Sequence, residues 1–385
     1  MKFDNGTWRK VKVSDLGRIV TGKTPKTSNP VYYGGDIPFL TPSDDMSAKY
    51  VVETKRTLTT EGRQSVKNMC LPADSVCVSC IGSDLGKVVV TTEETITNQQ
   101  INSIIVDKTN YDVDFVYYAM SILGKKINYI SKTSTAVPIV NKTSFSSFTI
   151  DCPDLHEQKK ISQILAVFDD KINNNNAINK NLSVLIQTIY QKRFTSKCQG
   201  MLSDICMYSK ERISVDDLTL EVYFSTENML PNKAGVTTAT SLPSTAQTTK
   251  CHIGDVLISN IRPYFKKILY CHREGGCSSD VLCFSPSSKK LSAFLYGVLY
   301  SDSFFDFMVA GSKGTKMPRG DKQQIMTYPI YVPTNDELDE YNAIAMPILD
   351  DIYRNTMENS NLSSLRDTLL PRLISGEVDV SSVKI

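Results

Sequence analysis

The chain repeats itself at an interval of 180 residues. Pro138 and Pro318 are 180 positions apart, and Pro153 and Pro333 share that spacing. The same offset superposes the strand-like runs DSVCVSCI and GDVLISNI. It also aligns five identical residues near the end of each copy: Asn181, Leu182, Ser183, Leu185 and Thr188 with Asn361, Leu362, Ser363, Leu365 and Thr368. The chain is therefore a tandem duplication.

This period is far longer than the roughly 20–50 residues of a solenoid repeat, so each copy is a domain followed by a connector. A match between SDL at 14–16 and SDI at 203–205 has an offset of 189, so the first copy is longer near its start. A duplicated pair suits a ligand that is itself nearly twofold symmetric, such as duplex DNA. A pseudo-symmetric small-molecule site fits the repeat equally well.

Each copy ends in a segment with a helical period. After Pro153, residues expected to face a partner helix recur every seven positions, and they are called seam residues here. A second position of each heptad, the companion position, is apolar. The seam residues are Ile161, Phe168, Asn175, Leu182 and Ile189, with Ile164, Ile178 and Leu185 as companions. Shifted by 180, the seam becomes Tyr341, Ile348, Asn355, Leu362 and Leu369. The pattern predicts two helices of about 60 Å that pair as an antiparallel coiled coil.

An asparagine interrupts both seams at the same place. We expect antiparallel pairing to bring Asn175 and Asn355 into contact near the midpoint. A polar residue at a core position can fix register at some cost in stability, so this pair is interpreted as setting the separation of the two domains. Alternatively, Asn175 merely ends a helix within the run NNNN, since asparagine is a weak helix former.

Composition limits the class of protein. No apolar run approaches the roughly 18 residues of a membrane span, and the start MKFDNGTWRK lacks a signal-peptide pattern, so we expect a cytoplasmic protein. The 10 cysteines are scattered singly through a long chain, which favours reduced thiols. The net charge of +2 neither requires nor excludes nucleic acid, so the distribution of charge matters more.

Basic residues cluster near the start of the chain and again in the second half, which is the footprint expected of phosphate contacts. An ordinary solvated face gives the same pattern. Guanidinium groups can bind a guanine edge bidentately, and a flanking aromatic ring can pack on a sugar or base. The tyrosines could equally be core residues. The candidate DNA contacts are Arg9, Lys12, Lys23, Thr24, Lys26, Tyr32 and Tyr33 in the first half, and Arg262, Tyr264, Lys266 and Lys267 in the second.

Several motifs resemble those of type I restriction-modification specificity subunits. The first half contains a Trp-led strand WRKVKV, the turn GKTP, the loop VYYGGDIP and the strand ITNQQINSII, followed by STAVPIVNKTSF. PDLHEQKKISQILAVFDDKI and LRDTLLPRLISGEVDV are similar to the family's two conserved helices. The second half, with FSTENML, GDVLISNIRPYFKK and GGCSSDVLCF, resembles a different subtype of recognition domain that lacks GKTP and NQQ.

The resemblance implies an α/β (α+β) fold with two tandem target-recognition domains separated by two long antiparallel coiled-coil helices, in pseudo-twofold arrangement. The expected boundaries are 1–153 and 197–333 for the recognition domains, 154–196 and 334–376 for the spacer helices, and 377–385 for a tail.

The resemblance also implies a non-catalytic subunit that reads a bipartite sequence in double-stranded DNA. It would dock two modification subunits and the restriction subunits. S-adenosylmethionine, ATP and Mg would be bound by those partners, with no cofactor, metal or membrane for this chain.

Two other function classes stay open. GRIVTGKT at 17–24 satisfies the P-loop pattern of an ATPase, but Pro25 follows where a helix must begin. A scaffold that binds protein or carbohydrate also fits a repeat. A metal site is a weaker hypothesis: Cys77 and Cys80 alternate along a strand, and no standard ligand spacing joins Cys251, His252, Cys271, His272 and Cys277.

Overall fold

The chain forms two compact units, each of which combines one globular half with part of both long helices. One unit is Met1–Lys171 with Asn361–Ile385, and the other is Ile172–Ser360. This computed structural model describes residues 8–51, 53–82, 85–132, 139–194, 198–380 and 383. The first seven residues, Pro138 and the start of STAVPIVNKTSF lie outside the described residues. The division into recognition domains, spacer helices and tail at the boundaries above stays a prediction.

The first half is a mixed β and α structure. Its strands are β1 Arg9–Lys12, β2 Gly17–Thr21, β3 Tyr33–Leu40, β4 Thr57–Leu58, β5 Ser75–Ser79, β6 Val88–Val90, β7 Ile96–Thr97, β8 Ile101–Val106 and β9 Thr149–Cys152. Its helices are α1 Thr60–Ser65, α2 Val113–Lys132 and α3 Lys142–Ser147. An antiparallel sheet has the order β2-β8-β5-β6, a second sheet has the order β4-β3-β7, and β1 pairs with β9. The strands β3 and β7 are parallel.

The long helix α4, Leu155–Phe194, follows, and the second half begins after it. The strands of this half are β10 Gly200–Met201, β11 Cys206–Tyr208, β12 Arg212–Ser214, β13 Tyr223–Phe224, β14 Gln247–Cys251, β15 Val256–Ser259, β16 Ile268–Tyr270, β17 Gly275–Cys277, β18 Val281–Pro286 and β19 Pro329–Ile330. Its helices are α5 Ser292–Tyr300, α6 Asp302–Ala310, α7 Lys322–Ile325 and the long α8 Asn335–Ile374. The sheets have the orders β11-β18-β15-β16, β12-β14-β17-β13 and β10-β19.

The two halves share one topology. The strands β5, β6 and β8 correspond to β15, β16 and β18 at the 180-residue offset, and α4 corresponds to α8 residue for residue. An isolated bridge between Ile81 and Ile139 recurs between Ile261 and Arg319 at that offset. The duplication expected from the sequence is therefore also a duplication of structure.

The central strand of each principal sheet is buried on both faces. In β5, Val76 and Val78 join one core cluster while Cys77 joins another, because successive side chains point to opposite sides of a strand. In β15, Val256 and Ile258 face one cluster and Leu257 faces the other. Burial on both faces accounts for the continuous apolar runs that the repeat analysis detected.

Both long helices begin with side-chain caps. Asp154 accepts a hydrogen bond from the backbone N–H of Glu157 at 2.9 Å. Thr334 and Glu337 form a reciprocal capping box, in which the Glu337 carboxylate accepts from the Thr334 N–H at 2.8 Å. These caps satisfy backbone donors that a helix leaves unpaired, and they explain why both helices begin just after a proline.

The helices run antiparallel in each unit. In Ile172–Ser360, Asn175 contacts Glu358 and Asn359, whereas Arg193 near the end of α4 pairs with Glu340 near the start of α8 at 3.2 Å. In the other unit, Asp169 pairs with Arg366 at 2.7 Å. The predicted fold class, with two long antiparallel helices, is confirmed.

The contact face of α4 departs from a strict heptad. Two predicted companion residues, Ile178 and Leu185, are each 47% exposed, whereas Leu165, Ile186 and Tyr190 are buried. A straight α-helix has 3.6 residues per turn, so its inward face drifts by about 20° for each seven residues. The prediction for those two companion residues is wrong for this reason.

The described residues contain no helix with the length and apolarity that a membrane span requires. All 10 cysteines are free thiols, and Cys198 is exposed. Burial raises the pKa of Cys77 to about 12 and that of Cys152 to about 11. These buried thiols behave as small apolar core residues.

Candidate nucleic-acid interface

The GKTP turn lies against the turn that precedes β8. The backbone N–H of Lys23 donates to the Thr97 carbonyl at 2.9 Å, and the Thr24 hydroxyl donates to Oε1 of Gln99 at 2.8 Å. A Cβ at Gly22 would overlap the backbone of the same turn, so only glycine fits there. These contacts anchor the loop through its backbone and leave the lysine side chains to solvent.

Lys23 and Lys26 are exposed on this loop. Among the described residues, no carboxylate lies within ion-pair distance of either ammonium group. Free ammonium groups on a backbone-anchored loop suit phosphate contacts, which need charge and a fixed position. Their role in binding stays a prediction.

The two candidate tyrosines are half-buried. The Tyr33 hydroxyl donates to the Pro25 carbonyl at 2.7 Å, and the Arg56 guanidinium lies 4.3 Å from the centre of its ring. Tyr33 also packs on the cluster around Phe39. Tyr33 therefore holds the GKTP loop in place, and Arg56 lies beside the loop. Sequence reasoning missed Arg56 because it is 30 residues from Lys26 in the chain.

Arg9 and Lys12 lie elsewhere in the first half. Both are exposed on β1, which pairs with β9 beside the start of α4. The strand β2, which spans about 16 Å at five residues, lies in sequence between Lys12 and the GKTP loop. The structure therefore does not group these two residues with Lys23.

The turn containing NQQ is held by internal hydrogen bonds. Nδ2 of Asn98 donates to Oε1 of Gln100 at 2.9 Å, and Oδ1 of Asn98 accepts from the Gln100 N–H at 3.1 Å. These bonds commit the side chains of Asn98 and Gln100 to the local structure of the turn. Gln99 instead turns toward Thr24.

The second half places Arg262 at the matching sheet edge, just beyond β15. Its backbone is left-handed, with φ 51° and ψ 64°, and its N–H donates to the Pro318 carbonyl at 2.8 Å. A left-handed backbone is costly for a residue with a Cβ, so surrounding contacts must hold it. Within the described part of the chain, its buried Nε has no hydrogen-bond partner. Arg262 is thus a fixed cation with unused donor capacity.

The other three candidates of this loop have different environments. Tyr264 is 49% exposed and packs on Phe265 with ring centres 4.8 Å apart. Lys266 pairs with Asp302 at 2.7 Å. Lys267 donates to the Thr226 carbonyl at 2.5 Å, and burial lowers the pKa of its ammonium group. Lys267 is therefore committed within the domain, whereas Tyr264 faces solvent.

Asp302 neutralises two lysines at this site. It accepts hydrogen bonds from Lys266 at 2.7 Å and from Lys233 at 2.9 Å, and these bonds hold the pKa of its carboxyl below the ordinary value. Lys233 has a left-handed backbone, with φ 62°. Sequence reasoning missed Lys233 and Asp302 because they come from distant segments.

A basic loop from Lys313 to Arg319 lies next to Arg262. Its two ends bond each other through reciprocal backbone hydrogen bonds of 2.9 Å, and Arg319 forms the bridge with Ile261. The Arg319 guanidinium pairs with Asp280 at 2.9 Å, and Lys316 is exposed. The composition SKGTKMPRG was a usable signal, since it occupies the position of KTSTAVPIV at the 180-residue offset.

The described residues form neither a P-loop nor a metal site. Residues 22–28 are an extended loop and turn, so no helix begins at Lys23. A P-loop requires a helix that begins at its Lys-Thr pair. Cys251, Cys271 and Cys277 share a buried cluster with Cys283, but the described residues include no group of three or more His, Cys, Asp or Glu arranged to hold a metal.

The two histidines of the zinc hypothesis lie apart from the thiols. His252 lies beside Glu211 at 3.3 Å, and His272 stacks on Tyr353 with ring centres 4.4 Å apart. The five residues therefore do not converge on one point.

Comparisons with known proteins agree with this architecture. Residues 5–184 match the family model of the type I restriction modification DNA specificity domain. The HindI specificity subunit of Haemophilus influenzae is 34% identical over 167 residues, which is 43% of this chain and 34% of that protein. The MjaIX specificity subunit of Methanocaldococcus jannaschii is 22% identical over 98% of this chain and 94% of its own length.

A solved structure has the same fold. The S subunit of a type I restriction-modification system from M. genitalium aligns with a TM-score of 0.58 at 16% identity, covering 97% of this chain and 98% of that one. The expectation drawn from the sequence motifs is confirmed. The first half of the chain matches the type I restriction modification DNA specificity domain, and nearly the whole chain is similar in sequence and fold to type I specificity subunits.

Proposed function

We propose that this chain is the non-catalytic subunit that directs a type I restriction-modification complex to a bipartite DNA sequence. One globular half would read each part of the target. The two halves have unlike loops at the matching edge of their principal sheets: GKTP with NQQ in one, and IRPYFKK with SKGTKMPRG in the other. Because the loops of the two halves differ, we expect the two parts of the DNA target to differ in sequence.

A single observation carries this proposal. In both halves the same sheet edge, where β5 or β15 ends, bears loops that have anchored backbones and carry cationic side chains. Lys23 and Lys26 are exposed in the first half, and Arg262 and Lys316 lie at that edge in the second. Cations held in a fixed position can bind DNA phosphates, and guanidinium groups can bind base edges in the major groove.

The partners follow from the family. Two modification subunits would dock on the helical segments, and restriction subunits would join them. Those subunits would carry S-adenosylmethionine, ATP and Mg and perform adenine methylation and cleavage. This chain would supply sequence recognition in the cytoplasm and none of the chemistry.

The test is to reconstitute the full chain with its cognate modification subunit and to map adenine methylation on genomic DNA. We expect one bipartite methylated motif, absent when this chain is omitted. A second preparation would exchange residues 1–153 for those of another member of the family. That exchange should change one half of the motif only. Methylation at the same sites without this chain would refute the proposal.

A further inference from the structure

A buried charged pair joins the two long helices in the unit that contains the first half. Nη1 of Arg366, on α8, lies 2.7 Å from Oδ1 of Asp169, on α4. The two side chains are 27% and 11% exposed. The hydroxyl of Tyr118, on α2, donates to Oδ2 of the same carboxylate at 2.5 Å, and Tyr118 is only 2% exposed. Asp169 thus receives a cation and a hydroxyl in a nearly closed setting.

The repeat places three apolar residues at the equivalent positions of the other unit. At the 180-residue offset, Asp169 corresponds to Leu349, Arg366 to Ile186 and Tyr118 to Val298. All three are buried, with exposures of 1%, 1% and 0%. The same location is therefore polar in one unit and apolar in the other.

The two asparagine–asparagine bonds between the helices are equivalent under the repeat. Asn175 donates to Asn359 at 2.9 Å, and Asn355 donates to Asn179 at 2.9 Å. Asn355 and Asn179 are the residues that the 180-residue offset gives for Asn175 and Asn359. If α4 paired with α4 of a second copy in the same register, Asn175 would still meet an Asn179. These two bonds consequently cannot distinguish a helix from its repeat, although Asn175 also donates to Glu358, which has Ile178 at the equivalent position.

We propose that Asp169, Arg366 and Tyr118 make the two long helices pair with each other rather than with the same helix of a second copy of this chain. In an α4–α4 pair, each Asp169 would face an Ile186. In an α8–α8 pair, each Arg366 would face a Leu349. In the first arrangement each Asp169 loses its cation, and in the second each Arg366 loses its buried partner and keeps only the exposed Asp367 of its own helix. Burying a charge without its counter-charge is far more costly than burying the complete pair. The pair thereby disfavours dimers that the duplicated sequence would otherwise permit.

The test uses two full-length copies with different affinity tags, co-expressed, with capture through one tag and native mass spectrometry of the product. The variant carries Tyr118→Phe, Asp169→Leu and Arg366→Ile, which gives the first unit the apolar character of the second. We expect the ratio of mixed dimer to monomer to rise at least about tenfold over the wild type, because the cost of two unpaired buried charges disappears.

Two further variants complete the design. Asn355→Ala should leave the dimer ratio at the wild-type level, since its bond to Asn179 has an equivalent, to Asn359, in an α8–α8 pair. If the apolar variant does not fold, Asp169→Asn with Arg366→Met removes the charges while keeping an acceptor for Tyr118, and a smaller rise is expected. A folded charge-free variant, verified by circular dichroism, with no more mixed dimer than the wild type overturns the proposal. This outcome would not bear on DNA recognition, which the methylation experiment tests separately.

Discussion

Nδ2 of Asn175 donates a hydrogen bond to Oδ1 of Asn359 at 2.9 Å, and it also donates to the Glu358 carboxylate at 2.8 Å. Asn355 makes the symmetric bond, to Asn179. The sequence had predicted that Asn175 and Asn355 contact each other. That pairing is wrong by about one helical turn, although each asparagine does bind an asparagine of the opposite helix. That they fix the register stays a prediction.

Replacing Asn175 with alanine should destabilise the helix pair. The side chain is 1% exposed, so its removal deletes two buried hydrogen bonds and leaves the Asn359 carbonyl without this donor. We expect the free energy of unfolding to fall by about 1–3 kcal/mol. Urea denaturation followed by helical circular dichroism measures it. Lys180→Ala, at an exposed position of the same helix, should change the midpoint little, and equal losses for both variants would contradict the assignment.

Arg262 and Lys26 should affect DNA binding in different ways. Arg262→Ala is expected to cost about 1–3 kcal/mol on the cognate sequence and to relax the preference at one base pair. Lys26→Ala should weaken binding to all sequences alike and reduce the slope of log affinity against log salt by about 1. The measurement is a salt titration of the complex with its modification subunit, on cognate and single-mismatch duplexes. A uniform loss for Arg262→Ala would remove it from the base contacts.

Asp302→Asn should strengthen non-specific DNA binding. Asparagine keeps an oxygen acceptor but removes the negative charge, so the charges of Lys266 and Lys233 are no longer compensated and attract phosphate more strongly. We expect a steeper salt dependence and tighter binding at low salt on non-cognate duplexes. Asp336→Asn, at the exposed start of α8, changes the net charge equally and serves as the control. The same gain in both variants would point to bulk charge rather than to this cluster.

His272 should make the stability of the second half dependent on pH. Burial lowers the pKa of its imidazole below the ordinary value of 6.5, an effect that the nearby Asp350 only partly offsets. Below about pH 6.5 the His272 imidazole is therefore more protonated in the unfolded chain than in the folded chain. The free energy of unfolding keeps its full value above about pH 6.5 and declines as the pH falls below it. His272→Phe keeps a ring stacked on Tyr353 and should flatten the change in unfolding free energy between about pH 7 and pH 5. An unchanged pH profile would contradict this account.

The sequence by itself determined the duplication, the two long helices and the resemblance to type I specificity subunits. These features are local or periodic: Pro153 and Pro333 precede the helices, the apolar seam marks them, and equal spacing reveals the repeat. The basic loops were also visible, because charge can be read along a chain. Lys23 and Lys26 are exposed, as a phosphate contact requires.

Only the tertiary structure decided which groups meet. The partner of Asn175 depends on the register of one helix against the other, which the sequence of α4 alone does not contain. The pairing of Lys266 with Asp302 likewise joins segments 36 residues apart. Such pairings depend on packing and register across the fold, and a periodic pattern in one segment contains no information about the register of its neighbour.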